Sequence, residues 1–465
     1  MIPVIIACCN FMVTLSHYSI LTALPDIGRS LGEPPSHLGQ LITVYIASLI
    51  ISMPLSSWLA DRFGLRNVYG MAILIFGLSS ALGGLATDIW TLTGVRIVQG
   101  FGAALIGTLG QVVILGFFPR NQTLRLSNYQ SIARQTAQIV APLVGGTLAT
   151  YISWRWIFLI NAPVILAAAV AAFLLFPTRH LTRRARLDIP GFVLFSLGIA
   201  LLIFGLSSLG THGLPVWGAA AELAIAGAIL AAFVWYCMRT TNPLLSLSLF
   251  RLRTLRVSLI TGGGLDTIGL ASVSFLLPLM FQIGFGMTAA QSGALTFLTA
   301  CGSLVMRFGV PQMLRRFGFR SVLIWNTPIA AALVAAFALT SATTPIWIVA
   351  AHIFALGLFR AMQWSSAGNL SYAEIATEDL TQFSALYYIF GQLALALSIA
   401  LASGMISFLA GGENSASISD FHFVFFIQGI ITLCSWFAYR SLQTEDGAQV
   451  SGHAVHAASI KNSNS

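Results

Sequence analysis

Long apolar stretches follow one another along the whole chain, and the short segments between them hold most of the charged residues. A helix of about 20 residues crosses the hydrocarbon layer of a bilayer, and each stretch has roughly this length. The stretches lie near residues 2–24, 40–60, 68–87, 91–118, 129–151, 156–176, 189–209, 216–238, 257–281, 289–313, 321–340, 345–373, 384–409 and 421–439. The pattern therefore predicts an all-α membrane protein with about fourteen transmembrane helices.

Composition supports a membrane protein and excludes several other classes. Of the 465 residues, 57% are hydrophobic and 8% are charged, whereas a soluble globular domain has about 25% charged residues. All five cysteines fall in apolar stretches, and their spacing is not that of a metal site or a redox pair. The sequence contains no metalloprotease motif, nucleophile elbow or phosphate-binding loop, so it predicts neither an enzyme nor a bound cofactor or metal.

The placement of the arginines predicts the orientation in the membrane. If the amino terminus is cytoplasmic, sixteen arginines lie near cytoplasmic helix ends and two, Arg29 and Arg155, lie near outer ends. Multi-pass proteins usually have this excess of basic residues in the cytoplasm, and an even number of helices puts both termini there. The net charge of +9 therefore indicates the topology of a bacterial cytoplasmic (inner) membrane protein and not binding to nucleic acid.

An internal repeat divides the chain. The residues RFGLR at 62–66 recur as RFGFR at 316–320, at an offset of 254 residues. Six helices with short loops take about 180 to 200 residues, so the offset leaves room for one extra helix pair. We expect an amino-terminal six-helix bundle (1–176), an inserted helix pair with its linkers (177–250), a second six-helix bundle (251–440) and a disordered cytoplasmic tail (441–465).

Four motifs in the first half of the chain carry a family resemblance. They read SWLADRFGLR at residues 57–66, RIVQGFG at 96–102, APLVGG at 141–146 and SWRWIFLINAP at 153–163. Their combination resembles the major facilitator superfamily, and within it the fourteen-helix drug/proton antiporters of the EmrB/QacA type. The resemblance implies two pseudo-symmetric bundles around a central cavity, alternating access, and export of small molecules in exchange for protons.

The loop motif at 57–66 is typical of a conformational latch in that family. Asp61 is an anion that can meet arginines or the positive amino terminus of a helix from the other half of the protein. The resemblance also assigns Arg62, Gly64 and Arg66 to the latch. A simple turn between two helices would explain the arginines but would explain the acid poorly, so we favour the latch.

The motif at 141–146 predicts a bend in the fifth helix. Pro142 interrupts the backbone hydrogen bonds, and Gly145 and Gly146 allow a neighbouring helix to approach closely. In the family that the sequence resembles, this motif marks exporters more than importers, so it favours efflux. A kinked helix with a packing role alone would have the same residues.

The acid that this family carries in its first helix is absent. Ser16 occupies the position and cannot carry a proton. Two other groups are candidates for proton coupling: His17, and Asp266, which lies about 14 Å into the ninth helix just after three glycines. Because a carboxylate at this depth usually has a function, we favour Asp266 for coupling or for binding a substrate charge. A salt bridge to Arg96 or Arg360 is the alternative.

Further polar residues fall on the helices that line the cavity in the family, which here are the first, fourth, ninth and twelfth. Arg96 lies on the fourth helix, and Arg360, Gln363, Trp364 and His352 lie on the twelfth. The cavity is therefore expected to be aromatic and mixed in charge. The expected partners are a small-molecule substrate, protons and the lipid bilayer. The sequence does not determine the oligomeric state, and a monomer is compatible with it.

Three functional classes are compatible with these features. The first is a proton-coupled exporter of hydrophobic or amphipathic compounds. A transporter of a defined metabolite or anion, with altered or absent proton coupling, is the alternative because Ser16 replaces the acid and the cavity contains arginines. A membrane sensor that does not transport is disfavoured, since the soluble segments are short and a latch motif would have no use there.

Overall fold

The structure, a computed structural model, describes residues 1–33, 35–117, 120–176, 187–208, 216–240, 244–245, 247–375, 380–410, 416–451 and 453. Within these residues every regular element is a helix, which confirms the predicted all-α class. Two segments for which the sequence makes predictions, the linker 177–186 and tail residues 454–465, lie outside the described residues.

Six membrane helices form the first half of the chain. They are α1 (Ile2–Leu31), α2 (Pro35–Phe63), α3 (Leu65–Gly84), α4 (Ile89–Phe117), α5 (Arg120–Tyr151) and α6 (Trp156–Leu159, continued by Asn161–Leu175). α5 packs along α1, whereas α4 packs against both α2 and α3. Glycine permits these close contacts, since a Cβ on Gly100 would lie 2.4 Å from the Tyr45 carbonyl oxygen.

The inserted pair consists of α7 (Ile189–Ser208) and α8 (Val216–Arg239), which pack on each other, while α7 also contacts α2. Asp188 joins the ends of this pair. Its Oδ1 accepts hydrogen bonds from the Gly191 amide at 3.0 Å and the Tyr236 hydroxyl at 2.8 Å. Its Oδ2 accepts from the Leu244 amide at 3.1 Å, so one carboxylate fixes the start of α7 to the segment that follows α8.

The second half contains six more membrane helices. They are α9 (Arg253–Gly284), α10 and α11 (both within Ala289–Leu339), α12 (Ile346–Tyr372), α13 (Leu380–Leu409) and α14 (Ile418–Tyr439), followed by the short α15 (Ala448–Ser451). α10 and α11 meet at Gly318, where φ is 74°, and α2 and α3 meet at Gly64, where φ is 85°. The repeated loop motif therefore encodes the same backbone turn twice, and glycine adopts this conformation at least cost.

Twelve of the described helices are long and apolar enough to cross a membrane. One of them, Ala289–Leu339, contains two predicted spans because only Gly318 separates α10 from α11. α5 is not among the twelve, since polar residues such as Arg134, Gln135 and Gln138 lower its hydropathy. Each of the fourteen predicted stretches therefore lies largely on a helix.

Contacts between helices divide the chain into two compact units. The first contains Met1–Leu244, Phe281–Ala294 and Ser403–Ser415, and the second contains Leu245–Met280, Leu295–Ala402 and Ala416–Ser465. By these contacts the inserted pair is grouped with the first six helices. The connection between α9 and α10 and the end of α13 also belong to the first unit.

Residues 441–451, which lie in the segment predicted to be disordered, make contacts with the second half of the chain in the structure. Leu442 is 2% exposed and Asp446 is 9% exposed. Leu442 joins an apolar cluster with residues of α9 to α12, and Asp446 forms an ion pair with Arg253. These two contacts order a segment whose polar composition alone predicts disorder.

Candidate functional site

Asp266 lies on a face of α9 that is in close contact with α14. Gly262, Asp266 and Gly269 are spaced four and three residues apart, so they share one helix face. A Cβ on Gly262 would lie 2.6 Å from the Tyr439 ring. A Cβ on Gly269 would lie 2.0 Å from the Thr432 hydroxyl oxygen. The glycines therefore allow the two helices to meet, with Asp266 buried between them at 1% exposure.

Three neutral side chains donate hydrogen bonds to the Asp266 carboxylate. Ser435 Oγ donates to Oδ1 at 2.6 Å, and Gln363 Nε2 donates to Oδ2 at 2.6 Å. The Tyr439 hydroxyl also donates to Oδ2. Within the described part of the chain no ion pair is formed by this acid, so its hydrogen-bonding capacity is met by neutral donors and not by the salt bridge considered from the sequence.

Gln363 is held with its amide nitrogen toward Asp266. Asn326 Nδ2 donates to Gln363 Oε1 at 2.6 Å and to the Phe359 carbonyl oxygen at 2.9 Å. Gln363 Nε2 also donates to Thr327 Oγ1 at 2.8 Å. Because residues of α11 contact both the oxygen and the nitrogen of this amide, Gln363 presents a fixed donor to the carboxylate.

Ser435 gives the carboxylate a simple way to accept a proton. Its Oγ lies 2.6 Å from Asp266 Oδ1 and 2.6 Å from the Thr432 carbonyl oxygen, so one hydroxyl hydrogen has two possible acceptors. Once Oδ1 is protonated, the new O–H donates to Ser435 Oγ while the serine hydroxyl turns to Thr432. The site can therefore hold the acid or its anion with the same side chains.

Arg96 on α4 is a buried charge of the first unit. Its exposure is 0%, its Nε donates to the Leu41 carbonyl oxygen at 3.0 Å, and its Nη1 donates to Gln99 Oε1 at 2.7 Å. The guanidinium carbon lies 4.0 Å from the centroid of the Tyr45 ring, a cation–π arrangement. Gln99 Nε2 in turn donates to Ser80 Oγ at 3.2 Å, so Arg96 is tied to both α2 and α3.

His17 on α1 packs on the same tyrosine. Its ring stacks on Tyr45 with centroids 5.0 Å apart and meets Tyr18 edge-on at 4.9 Å. His17 is 6% exposed, and neither ring nitrogen has a hydrogen-bond partner among the described residues. The same is true of Ser16 Oγ and of Arg96 Nη2. Buried polar atoms are nearly always paired, so these three side chains keep unused hydrogen-bonding capacity.

Arg360 and Trp364 form a second polar and aromatic group on α12. Arg360 Nη1 donates to Ser274 Oγ on α9 at 3.0 Å, and its guanidinium carbon lies 5.0 Å from the Trp364 ring. Trp364 is 38% exposed, whereas Gln363 beside it is fully buried. Adjacent residues of α12 therefore have different environments: Gln363 belongs to the Asp266 network, and Trp364 belongs to a more exposed pair with Arg360.

His352, also predicted for the cavity, takes part in helix packing. Its ring stacks on Phe337 with centroids 4.0 Å apart, and its Nε2 is 2.7 Å from the Leu333 carbonyl oxygen. Both partners belong to the end of the α11 segment. His352 thus stabilises the contact between α11 and α12 and is not among the partners of Asp266.

The glycines of the predicted bend in α5 are close-packed on two sides. A Cβ on Gly145 would lie 2.2 Å from the Ser19 carbonyl oxygen of α1. A Cβ on Gly146 would lie 2.3 Å from the Ala289 carbonyl oxygen at the start of α10. The backbone of α5 therefore touches α1 and α10 directly.

The start of α10 completes this contact. A Cβ on Gly293 would lie 2.3 Å from the Pro142 carbonyl oxygen, so a glycine of α10 faces Pro142 of α5. The Ala290 amide donates to Thr150 Oγ1 at 2.8 Å. Both segments belong to the first compact unit, and residues 142–146 of α5 thus pack directly on the first residues of α10.

Alanine at Gly145 or Gly146 should lower stability, because each new methyl group would meet a backbone oxygen that cannot move alone. We expect a cost of about 1 to 3 kcal/mol for each variant. Thermal unfolding of the purified protein in detergent measures this loss. Gly107→Ala is the matched control, since nothing lies within 4 Å of a Cβ there. An equal unfolding temperature for all three variants would contradict the close packing.

The four predicted latch residues surround the turn between α2 and α3. Gly64 has a φ of 85° and ends α2, and Asp61 lies in the last turn of that helix. Arg62 is exposed and lies over the Trp58 ring at 5.6 Å, whereas Asp61 and Arg66 are half-buried. An acid and a base at partly shielded positions beside one glycine turn are arranged for contacts stronger than those of exposed charges.

Comparison with known proteins decides the family, since the Major Facilitator Superfamily profile matches residues 6–399 of the chain. The chain belongs to the major facilitator superfamily. A relative from Pectobacterium carotovorum subsp. carotovorum (strain PC1), which bears the provisional name multidrug resistance protein MdtD, is 31% identical over 415 residues, covering 89% of this chain and 89% of the relative. Its counterpart in Serratia proteamaculans (strain 568), with the same name, is 33% identical over 401 residues, covering 86% and 83%.

Solved structures support the major facilitator fold. The crystal structure of a D-xylose-proton symporter aligns with a TM-score of 0.65 at 15% identity, covering 96% of this chain and 98% of that chain. Family membership and the apolar helices together make the protein a multi-pass membrane transporter and not an enzyme. The fourteen-helix antiporter branch stays a prediction.

Two side chains that contact Asp266 were missed from the sequence, namely Ser435 and Tyr439. Both lie on α14, which the family resemblance does not place at the cavity. A signal was available, because Thr432, Ser435 and Tyr439 repeat at three- and four-residue spacing within an apolar helix. Such a polar stripe predicts a polar partner on a neighbouring helix, and Asp266 is that partner.

Proposed function

We propose that this transporter exports hydrophobic or amphipathic small molecules in exchange for protons. The proposal depends on the Asp266 site, a carboxylate at 1% exposure that three neutral donors hold inside a membrane transporter. Ionisable groups at such depth are costly and usually functional. The provisional multidrug resistance names of the bacterial relatives support the substrate class.

Protonation of Asp266 would change the contacts among α9, α12 and α14. The anion accepts three hydrogen bonds, whereas the neutral acid must donate one of them and accept the others less strongly. The two protonation states therefore favour different packing of these helices. Alternating access uses such a difference, since a ligand shifts a conformational equilibrium only through its differential affinity for the two states.

Export across the bacterial cytoplasmic membrane is the direction we propose. Pro142, Gly145 and Gly146 belong to a motif that marks exporters in the resembled branch, and here this segment packs on the first residues of α10. The arginine distribution supports a cytoplasmic position for both termini. The bacterial origin of the relatives supports the inner membrane.

A second candidate is a transporter of a defined anion, and the Arg96 region favours it. Arg96 is buried without an ion pair among the described residues, and its Nη2, the His17 ring and Ser16 Oγ retain unused hydrogen-bonding capacity. A carboxylate on the substrate would match a buried guanidinium with a free N–H. This candidate assigns substrate recognition to the first unit and leaves Asp266 without a coupling role.

Uptake into inside-out membrane vesicles separates the two candidates. Three probes are used with an acidic lumen: ethidium as a cation, chloramphenicol as a neutral compound and fluorescein as an anion. The proposal expects uptake of ethidium or chloramphenicol that depends on the protein and stops when an ionophore collapses the gradient. Protein-dependent uptake of fluorescein alone would favour the anion transporter, and uptake that is insensitive to the ionophore would contradict proton coupling.

Asp61→Asn should shift the protein toward the inward-open state while expression stays normal, because it removes one charge from a half-buried position in the last turn of α2 without opening a core. Labelling of single cysteines placed on the cytoplasmic side and on the outer side of the expected central cavity measures the shift. We expect a change of about threefold or more in the relative labelling rates of the two sides. Asp88→Asn, the same change in an exposed loop acid that caps Thr91, is the control. Equal labelling of both variants would leave Asp61 as a turn residue.

A further inference from the structure

The segment after α14 folds back onto the second unit. Residues Ser441–Ser451 and His453, which we call the C-terminal clamp, contain the short α15 and several turn hydrogen bonds. Leu442 enters the apolar cluster that also contains Val257, Phe319 and Leu370. The clamp therefore reaches the start of α9, the α10–α11 turn and the end of α12.

An ion pair fixes the clamp to α9. Arg253, the first residue of α9, directs Nη2 to both carboxylate oxygens of Asp446, at 2.9 Å to Oδ1 and 2.8 Å to Oδ2. Asp446 Oδ2 also accepts from the Gln443 amide at 2.7 Å. Asp446 is 9% exposed and the Arg253 side chain is 38% exposed, so the carboxylate is shielded from water while the guanidinium stays partly hydrated.

The clamp also covers the repeated loop motif of the second half. His453 Nδ1 is 3.2 Å from the Arg315 carbonyl oxygen, next to the turn at Gly318. Gly447 has a φ of 70°, and a Cβ there would lie 2.6 Å from the Phe319 ring. A positive φ and close ring contact both require glycine at this point, so the path of the clamp over the turn is specific.

The clamp is continuous with the Asp266 site. Tyr439, which donates to the Asp266 carboxylate, is the last residue of α14 and belongs to the same apolar cluster as Leu442. The Leu442 amide donates to the Tyr439 carbonyl oxygen at 3.1 Å. The position of the tyrosine therefore depends on how the following residues are anchored, and Arg253 provides that anchor from the helix that carries Asp266.

We propose that the Arg253–Asp446 ion pair is a positioning element for the Asp266 site: the C-terminal clamp holds the end of α14 so that Tyr439 closes over the carboxylate. The role in transport rests on the proposed function of Asp266, whereas the role in shielding Asp266 does not. Loss of the ion pair frees the end of α14, and Tyr439 then leaves the carboxylate more accessible.

Labelling of Asp266 with dicyclohexylcarbodiimide tests the shielding without any substrate. This apolar reagent modifies carboxyl groups that it can reach inside a membrane protein, and mass spectrometry locates the adduct. The full-length protein in detergent is compared with Asp446→Asn, Arg253→Gln, and the exchanged pair in which Arg253→Asp and Asp446→Arg are combined. Tyr439→Phe serves as the positive control, because it removes the covering hydroxyl directly.

We expect Asp266 to be labelled at least about threefold faster in Asp446→Asn, Arg253→Gln and Tyr439→Phe than in the wild type, which is the size of a modest population shift. The exchanged pair should return the rate toward the wild-type value. A chain that ends at 453 should behave as the wild type, and one that ends at 440 should behave as Asp446→Asn. All rates are measured at least 15 degrees below the unfolding temperature of each variant, so general unfolding does not contribute.

Two results would overturn the inference. If Tyr439→Phe increases labelling but the Arg253 and Asp446 variants do not, the clamp does not act on the site. If Tyr439→Phe also leaves labelling unchanged, the tyrosine does not shield Asp266. Either result can occur while Asp266→Asn still abolishes proton-driven transport, so failure of this inference is distinguishable from failure of the proposed function.

Discussion

Asp266→Asn should abolish gradient-driven export, with a loss of about a hundredfold or more, because the buried acid at the α9–α14 contact can then no longer bind and release a proton. Exchange of substrate across the membrane without a gradient should stay within about threefold of wild type, since the amide has nearly the same shape and can still accept hydrogen bonds. Reconstituted vesicles loaded with radiolabelled substrate measure both activities in one preparation.

The fold should tolerate this change because the asparagine amide can form hydrogen bonds with the same neighbouring side chains. Asparagine can accept from Gln363 through its oxygen and can donate to Ser435 Oγ, whose own hydrogen then turns to the Thr432 carbonyl oxygen. Asp420→Asn is the matched control, since Asp420 lies in the exposed capping box at the start of α14. It should leave coupled transport at the wild-type level.

His17→Ala separates the two coupling candidates of the sequence. If Asp266→Asn pumps normally and His17→Ala does not, the proton site is the histidine. If both variants remain fully coupled, neither group carries the proton and the antiporter proposal is wrong. The structure favours Asp266, because its carboxylate has an alternative hydrogen-bond arrangement for each protonation state, whereas the nitrogens of His17 have no partner among the described residues.

Arg96→Ala should damage gradient-driven transport and exchange together, each by about tenfold or more, and should also destabilise the protein by about 3 to 5 kcal/mol. The change removes hydrogen bonds to the Leu41 carbonyl oxygen and to Gln99 and the contact with the Tyr45 ring. It also leaves a cavity at a fully buried position. Transport assays and thermal unfolding on the same preparation check both effects.

Arg96→Lys distinguishes charge from geometry at this site. Lysine keeps the positive charge but cannot form the planar fork that joins Leu41, Gln99 and the Tyr45 ring. We expect Arg96→Lys to recover only part of the lost stability and transport. Full recovery in Arg96→Lys would show that charge alone matters at this position. Wild-type stability and transport in Arg96→Ala would show that Arg96 has no role in transport under either proposed function.

The helical fold could be predicted from the sequence because its determinants are local. Apolar length determines the membrane helices, and a glycine with positive φ determines the turn in each copy of the repeat, at Gly64 and Gly318. The inserted pair was predicted as well, but its association with the first six helices was not, since it depends on the contact between α7 and α2. Contacts between distant segments leave no periodic signal.

The candidate site was predicted only in part, for a related reason. Asp266 and Gln363 stand out as polar residues within apolar spans, and the structure brings them within hydrogen-bonding distance. Ser435 and Tyr439 were missed because their role appears only when α14 packs against the glycine face of α9. His352 is assigned to the cavity from its helix alone; its ring stacks on Phe337 in the structure, and its cavity role stays a prediction.

Polar composition predicts a disordered tail, and the first part of that segment nevertheless makes buried contacts in the structure. One apolar residue, Leu442, and one acid, Asp446, are enough to anchor the segment because both find partners already fixed by other helices. A polar segment beside a folded domain can be ordered when the domain supplies the buried surface. The sequence of the tail alone does not contain that information.

Substrate-induced proton movement tests the central claim most directly. The protein is reconstituted into vesicles with an acidic lumen and a pH-sensitive dye, and ethidium or chloramphenicol is added to the outside. If the protein is a proton-coupled exporter, the added compound raises the lumenal pH in vesicles where the wild-type protein is oriented to take up substrate. The response should be absent with Asp266→Asn and in empty vesicles. Transport of the compound by the wild type with no change in lumenal pH would contradict the account.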